Sequence, residues 1–203
     1  MKGDVLMLKK IILLLLTLTI MLAGCSGEWE ALNKVKKEDT TKEESNEPFT
    51  GNTVSFELFD CTFEIPETWS YKNDNPYHFF DPDDADGSKL LIKREDDAGY
   101  INYESEFYSE LFISGILESI DGGELTNKSE RNIDNNTYAL DITYTGQVND
   151  IKYEFRCVTY VYNKQVYSLV YTEPQNITKV NELNYILDTI KTKEIETTEI
   201  NQF

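Results

Sequence analysis

Histidine occurs once in the 203 residues, at position 78. A multi-histidine zinc centre is therefore excluded, and any serine or cysteine triad would rest on His78 alone. Cysteine occurs three times, at Cys25, Cys61 and Cys157, with no CxxC pair of the redox type. Gly122-Gly123 is not followed by the Gly-Lys-Ser/Thr of a phosphate-cradling loop. Positive charge is scarce: 19 Lys and Arg stand against 37 Asp and Glu, a net charge of −18. So acidic a surface repels nucleic acid and anionic lipid headgroups, which argues against both as partners.

The N-terminus departs from this polar average. Lys2, Lys9 and Lys10 precede an almost wholly apolar run from Ile11 to Leu22. That run is shorter than the roughly 20 apolar residues of a membrane-spanning helix and has the length of a signal-peptide core. Leu22-Ala23-Gly24-Cys25 then matches the bacterial lipobox. Small residues fit the peptidase subsite, and only a thiol carries the thioether-linked diacylglycerol, whose palmitate-type chains anchor better in pairs than singly. Residues 1–24 are thus expected to be a lipoprotein signal peptide and Cys25 the lipidated residue. The expected location is the extracytoplasmic face of the cell membrane, Gram-positive in type from the Lys-, Asn- and Ile-rich usage. Residues 25–52 are charge-mixed and poor in apolar side chains, as in Lys34 to Glu47. They are expected to be a flexible tether, because they cannot bury enough surface to offset their ordering entropy.

A globular domain is expected over 53–192, with an acidic, frayed tail at 193–203. Phe56 to Ile65 alternates as a strand or strand pair and stops at Pro66. A polar turn is expected through Lys72 to Asn75. Short strands at His78–Phe80 and Lys89–Lys93 flank an acidic turn, Asp81 to Gly87. Asn102 to Ile120 reads as a helix, with Asn102 as N-cap and Gly122-Gly123 as stop. One side of it carries Tyr108, Phe112 and Ile116 at spacing four. That side is either core or a face that docks a partner. Antiparallel hairpins follow, with two-residue turns at Asn149-Asp150 and Asn163-Lys164. A closing helix places Val180, Leu183, Ile186, Leu187 and Ile190 on one stripe. Cys61 and Cys157 fall on apolar strand faces, either disulfide-bonded outside the cytoplasm or buried as free thiols that pack like small hydrophobes.

The segment Phe63-Glu-Ile-Pro-Glu-Thr-Trp69, the aromatic strand after it, the mid-chain helix, the long meander and the final helix together resemble the PsbP/Mog-type family. The likeness covers about residues 55–192. It implies an α+β fold: a central antiparallel sheet with helices on both faces, an α/β/α sandwich. It implies no shared catalytic motif, so no functional residue is carried over.

The sequence offers two further sites, each with a bland alternative. Asp81, Asp83, Asp84 and Asp86 ahead of Gly87 suggest a calcium loop. Aligned on that glycine, however, Pro82 takes the first ligand position and Lys93 the twelfth, where Glu is required. An acidic hairpin turn with at most a weak, solvated Ca²⁺ contact is the expectation, and no cofactor is otherwise implied. Thirteen Tyr and ten Phe would furnish a carbohydrate-stacking platform if exposed, or core and cross-strand pairs if not. The function that fits is a lipid-anchored, non-catalytic module docking an envelope protein. A small-ligand or divalent-cation-binding lipoprotein is the alternative, and an envelope hydrolase the weakest reading.

Overall fold

The computed structural model describes residues 48–82, 87–96, 101–134, 137–174 and 176–193. The signal peptide, the lipidated cysteine, most of the tether and nearly all of the acidic tail lie outside these residues.

The domain is mostly β-structure with two helices, an α+β fold. In chain order the strands are β1 (Thr53–Leu58), β2 (Cys61–Pro66), β3 (Ser70–Asp74), β4 (Tyr77–Asp81) and β5 (Lys89–Glu95). Helix α1 (Glu106–Ser119) follows, then β6 (Asp121–Ile133), β7 (Thr137–Val148), β8 (Ile151–Tyr162) and β9 (Gln165–Pro174). Helix α2 (Val180–Asp188) and the two-residue β10 (Lys191–Thr192) complete the domain. Instead of one central sheet there are two. A seven-stranded antiparallel sheet has the order β3-β4-β5-β9-β8-β7-β6, and a small one has the order β1-β2-β10.

The meander forms where turn chemistry and alternation agree. Asn149-Asp150 and Asn163-Lys164 all have positive φ, the backbone of a type I′ turn, whose twist matches that of the strands it joins. Strand β9 then returns to pair with β5 over Lys89↔Thr172 to Glu95↔Val166. Alternate residues of these strands feed two separate cores. Ala139, Val158, Tyr160, Tyr167, Leu169 and Tyr171 join one, with Phe63, Ile65 and the α2 residues Leu183, Ile186 and Leu187. Leu140, Ile142, Tyr144, Phe155, Cys157 and Val170 join the other, with the α1 residues Phe112, Ile113 and Ile116. Successive strand residues point to opposite faces, so the large sheet is apolar on both.

Two local expectations are corrected. Residues 70–74 are a strand, not a turn; every one is exposed, so an edge strand carries no apolar alternation to read. Helix α1 begins a turn later than expected. Asn102 caps no helix: its side chain accepts the Glu104 N–H at 3.0 Å and its carbonyl accepts the Ser105 N–H at 3.1 Å, a local turn before the helix. The helix stops just ahead of Gly122-Gly123, as expected, and the pair already lies in β6. Gly122 has φ +63, and a Cβ on Gly123 would lie 2.4 Å from the Leu117 carbonyl oxygen. Only glycine therefore lets the chain pass directly from helix to strand.

Helix α2 is tied to the small sheet by polar contacts. The Glu64 carboxylate accepts from the Tyr185 hydroxyl and, at 3.0 Å, from Thr53. Those bonds hold its pKa below the usual carboxylate range, Tyr185 contributing most. The Trp69 indole donates to Glu182 at 2.7 Å and stacks on Tyr171.

Ile116 is fully buried and Phe107 is 64% exposed on the same helix. Ile116→Ala is therefore expected to cost about 2–4 kcal/mol of stability. Phe107→Ala is expected to stay within about 0.5 kcal/mol. Urea denaturation of the two variants measures both.

Candidate functional site

The residues singled out in the sequence do not converge. Cys61 and Cys157 are both free and buried, one in each core, so of the two readings the structure has the unbonded one. Cys61 Sγ lies 3.4 Å from the Tyr160 hydroxyl; Cys157 sits opposite Ile142. The Tyr108, Phe112 and Ile116 side is no docking face. Phe112 and Ile116 are core, and Tyr108 is half-buried. The helix lies with residues 112, 113 and 116 down on the sheet, because the apolar surface of β7 and β8 needs cover. Asp81 ends β4, 3.9 Å from the Lys89 ammonium, while Asp83, Asp84 and Asp86 lie outside the described residues. Among the described residues no three His, Cys, Asp or Glu side chains gather as a metal site.

The aromatic residues organise an edge where apolar and polar groups meet at the surface. His78 on β4 and Tyr71 on the edge strand β3 share a 2.7 Å hydrogen bond between Nδ1 and the phenol. Their ring planes differ by 7° with centroids 6.0 Å apart. An imidazole lone pair lies in the ring plane, so this bond sets the two rings side by side and nearly coplanar rather than face to face. Phe56 and Phe80 back Tyr71 at 5.3 and 5.0 Å. Phe59 meets His78 edge-on at 5.1 Å. Tyr71 nonetheless remains 41% exposed.

Phe59 occupies the β1–β2 turn with φ +55, a left-handed conformation that a bulky side chain adopts only against cost. Its ring is held by the Arg94 guanidinium, 4.8 Å above it, and Arg94 in turn lies 3.8 Å from Asp96. In the sequence His78 stands out as a lone candidate base, whereas Tyr71, Phe59 and Arg94 do not stand out. The signal available was the opposition of two short aromatic strands, but the β3–β4 register that joins them is not in the pattern.

A second polar cluster lies in the α2-side core. Arg156 forms a two-point pair with Asp141, at 3.0 and 2.7 Å. Arg131 reaches Asp141 at 3.8 Å and Asp188 at 2.9 Å. Burial, then the neighbouring Arg156, lowers the Arg131 pKa. Arg156 also borders a narrow apolar gap under α2 with Leu90, Leu169, Leu183 and Leu187. Both arginines are already engaged by carboxylates, so the cluster reads as structural.

No protein-family model matches the sequence, and no curated protein matches it significantly. Solved structures do resemble the fold. The cyanobacterial PsbP (CyanoP) from Synechocystis aligns with TM-score 0.55 at 9% identity, covering 78% of this chain and 98% of its own. LpqN of Mycobacterium tuberculosis, described as involved in cell envelope biogenesis, aligns with TM-score 0.54 at 14% identity, covering 70% and 91%. At such identities the likeness is one of fold, and the fold is PsbP-like.

Burial pushes the Cys157 thiol up to about 12 and raises Cys61 as well. Iodoacetamide at neutral pH is expected to spare both in the folded chain and to alkylate both in denaturant. Peptide mass spectrometry reads the difference, and rapid modification of the native protein would contradict the assignment. Burial also lowers the His78 pKa from 6.5. As pH falls the unfolded chain takes up this proton first, so the contribution of His78 is complete above about 6.5 and declines below it. His78→Phe should accordingly lose less stability than wild type between pH 7 and 5. Equal losses would show that His78 does not titrate differently on folding.

Proposed function

We propose that this PsbP-like domain is the folded part of a lipid-anchored, extracytoplasmic accessory module that docks a protein partner at the cell envelope and catalyses no reaction itself. The lipobox ending in Cys25 supports the anchor. Among the described residues no helix is long and apolar enough to cross a membrane. The cell-envelope role of LpqN, whose fold this chain resembles, is in keeping with the assignment. The domain is read here as an α/β/α sandwich, supported by the separate cores that α1 and α2 close.

The observation that carries the docking part is Phe107. It is the most exposed large hydrophobic side chain among the described residues, on the outward side of α1. Exposed Glu104, Glu106 and Glu110 surround it in sequence. An exposed aromatic flanked in sequence by exposed carboxylates suits a partner with an apolar pocket and a basic rim, the buried anchor supplying affinity and the charges orientation.

Cys25→Ala is expected to move the chain from the membrane to the soluble fraction; retention in the membrane would remove the lipid anchor. A photocrosslinking amino acid at position 107 of the anchored chain should capture one envelope protein in cells. Phe107→Glu in a still-folded chain should reduce co-purification of that protein at least tenfold, as expected for the loss of a buried anchor. Undiminished recovery, or no capture, would dismiss α1 as the docking surface.

A further inference from the structure

The side-by-side rings of Tyr71 and His78 form a flat aromatic surface whose polar atoms lie at its rim. Strand alternation adds a third member. Asn73 lies on the same face of β3 as Tyr71 and directly opposite His78 in the β3–β4 register. All of β3 is exposed. One edge of the sheet thus presents a phenol, an imidazole and a primary amide together.

Charge narrows what such a surface recognises. Neither β3 nor β4 puts a carboxylate on this face, where the side chains are Tyr71, Asn73, His78 and Phe80. A cation would find aromatic rings but no counter-charge there. Arg94 is held by the Phe59 ring and Asp96, and Lys72 alternates to the other face of β3, so an anion would meet no cation on this face and would approach a chain of net charge −18. A neutral ligand remains, one that offers a flat C–H surface to stack and hydroxyls to bond at the rim. With the Tyr71 phenol donating to Nδ1, His78 keeps Nε2–H as a further donor, and the Asn73 amide supplies both a donor and an acceptor. A pyranose ring has this pattern: axial C–H groups on one face and equatorial hydroxyls around the edge.

We propose that the Tyr71–His78–Asn73 edge is a binding site for a neutral sugar ring, with Tyr71 as the stacking platform and Asn73 and His78 bonding the ring hydroxyls. The backing by Phe56, Phe80 and Phe59 holds the rings in place before the ligand arrives, so little side-chain entropy is lost on binding. The site is separate from Phe107, and its failure would leave the docking role of α1 untouched.

Saturation-transfer NMR on the full chain, with chitotetraose and cellotetraose as probes at millimolar concentration, tests the site. Transfer to ring protons is expected with at least one probe, and a preference for chitotetraose would show that the acetamido group is read as well. Tyr71→Ala should weaken binding about tenfold, the loss of one stacking contact. Asn73→Ala, which removes an exposed side chain outside the core, should weaken it while leaving the unfolding midpoint unchanged. No transfer to either probe, or transfer unchanged in Asn73→Ala and in a folded Tyr71→Ala, would overturn the proposal. A Tyr71→Ala variant that loses a crosslinked protein partner but binds sugar as before would also overturn it, in favour of a protein contact at this edge.

Discussion

A sheet that is apolar on both faces sets the terms for everything around it. Strands β7, β8 and β9 carry large side chains alternately into two cores, among them the fully buried Tyr144, Phe155, Tyr160 and Tyr167. Leaving either face open would expose a broad apolar surface to water. One core is closed by α1, the other by α2 together with the small β1-β2-β10 sheet. The position of α1 follows: it must lay Phe112 and Ile116 on the sheet, and only its outer side remains free. One buried charge is made tolerable by pairing, the Asp141 carboxylate being met by Arg156 on the neighbouring strand.

That constraint also explains which parts of the fold were legible in the chain. The long meander could be read because its alternation and its Asn-Asp and Asn-Lys turns agree with each other. The strands β3 and β6 were harder, since both are edges whose exposed residues leave no apolar period. The small sheet was missed as a separate body because Phe56 to Ile65 shows a hairpin but not what it packs on. Which side of α1 faces inward was undetermined for a related reason. Apolar residues at 108, 112, 113, 116, 117 and 120 cover a wide arc, and only the neighbouring strands select from it.

Less of the candidate site could be read. His78 drew attention for its rarity, yet its meaning comes from Tyr71 across a strand pair and from Phe59 on another sheet. Those relations depend on register and on sheet-to-sheet packing, neither of which leaves a local mark. The two cysteines illustrate the same point. Their strand faces are legible as apolar, but not that Cys61 lies in the small sheet and Cys157 in the large one, each in a different core.

The pairing of β5 with β9 has a consequence for how the chain reaches its working location. Residues 89–95 lie in the middle of the large sheet, yet their partners are residues 166–172, so the sheet cannot close until nearly the whole domain is available. High separation between contacting segments slows folding. A polypeptide passing N-terminus first through a translocation channel, as the lipoprotein reading requires, would hold its last central strand inside while the rest emerges. In a chain exported that way, the topology would keep the nascent domain open during transit and couple completion of the fold to release on the far side.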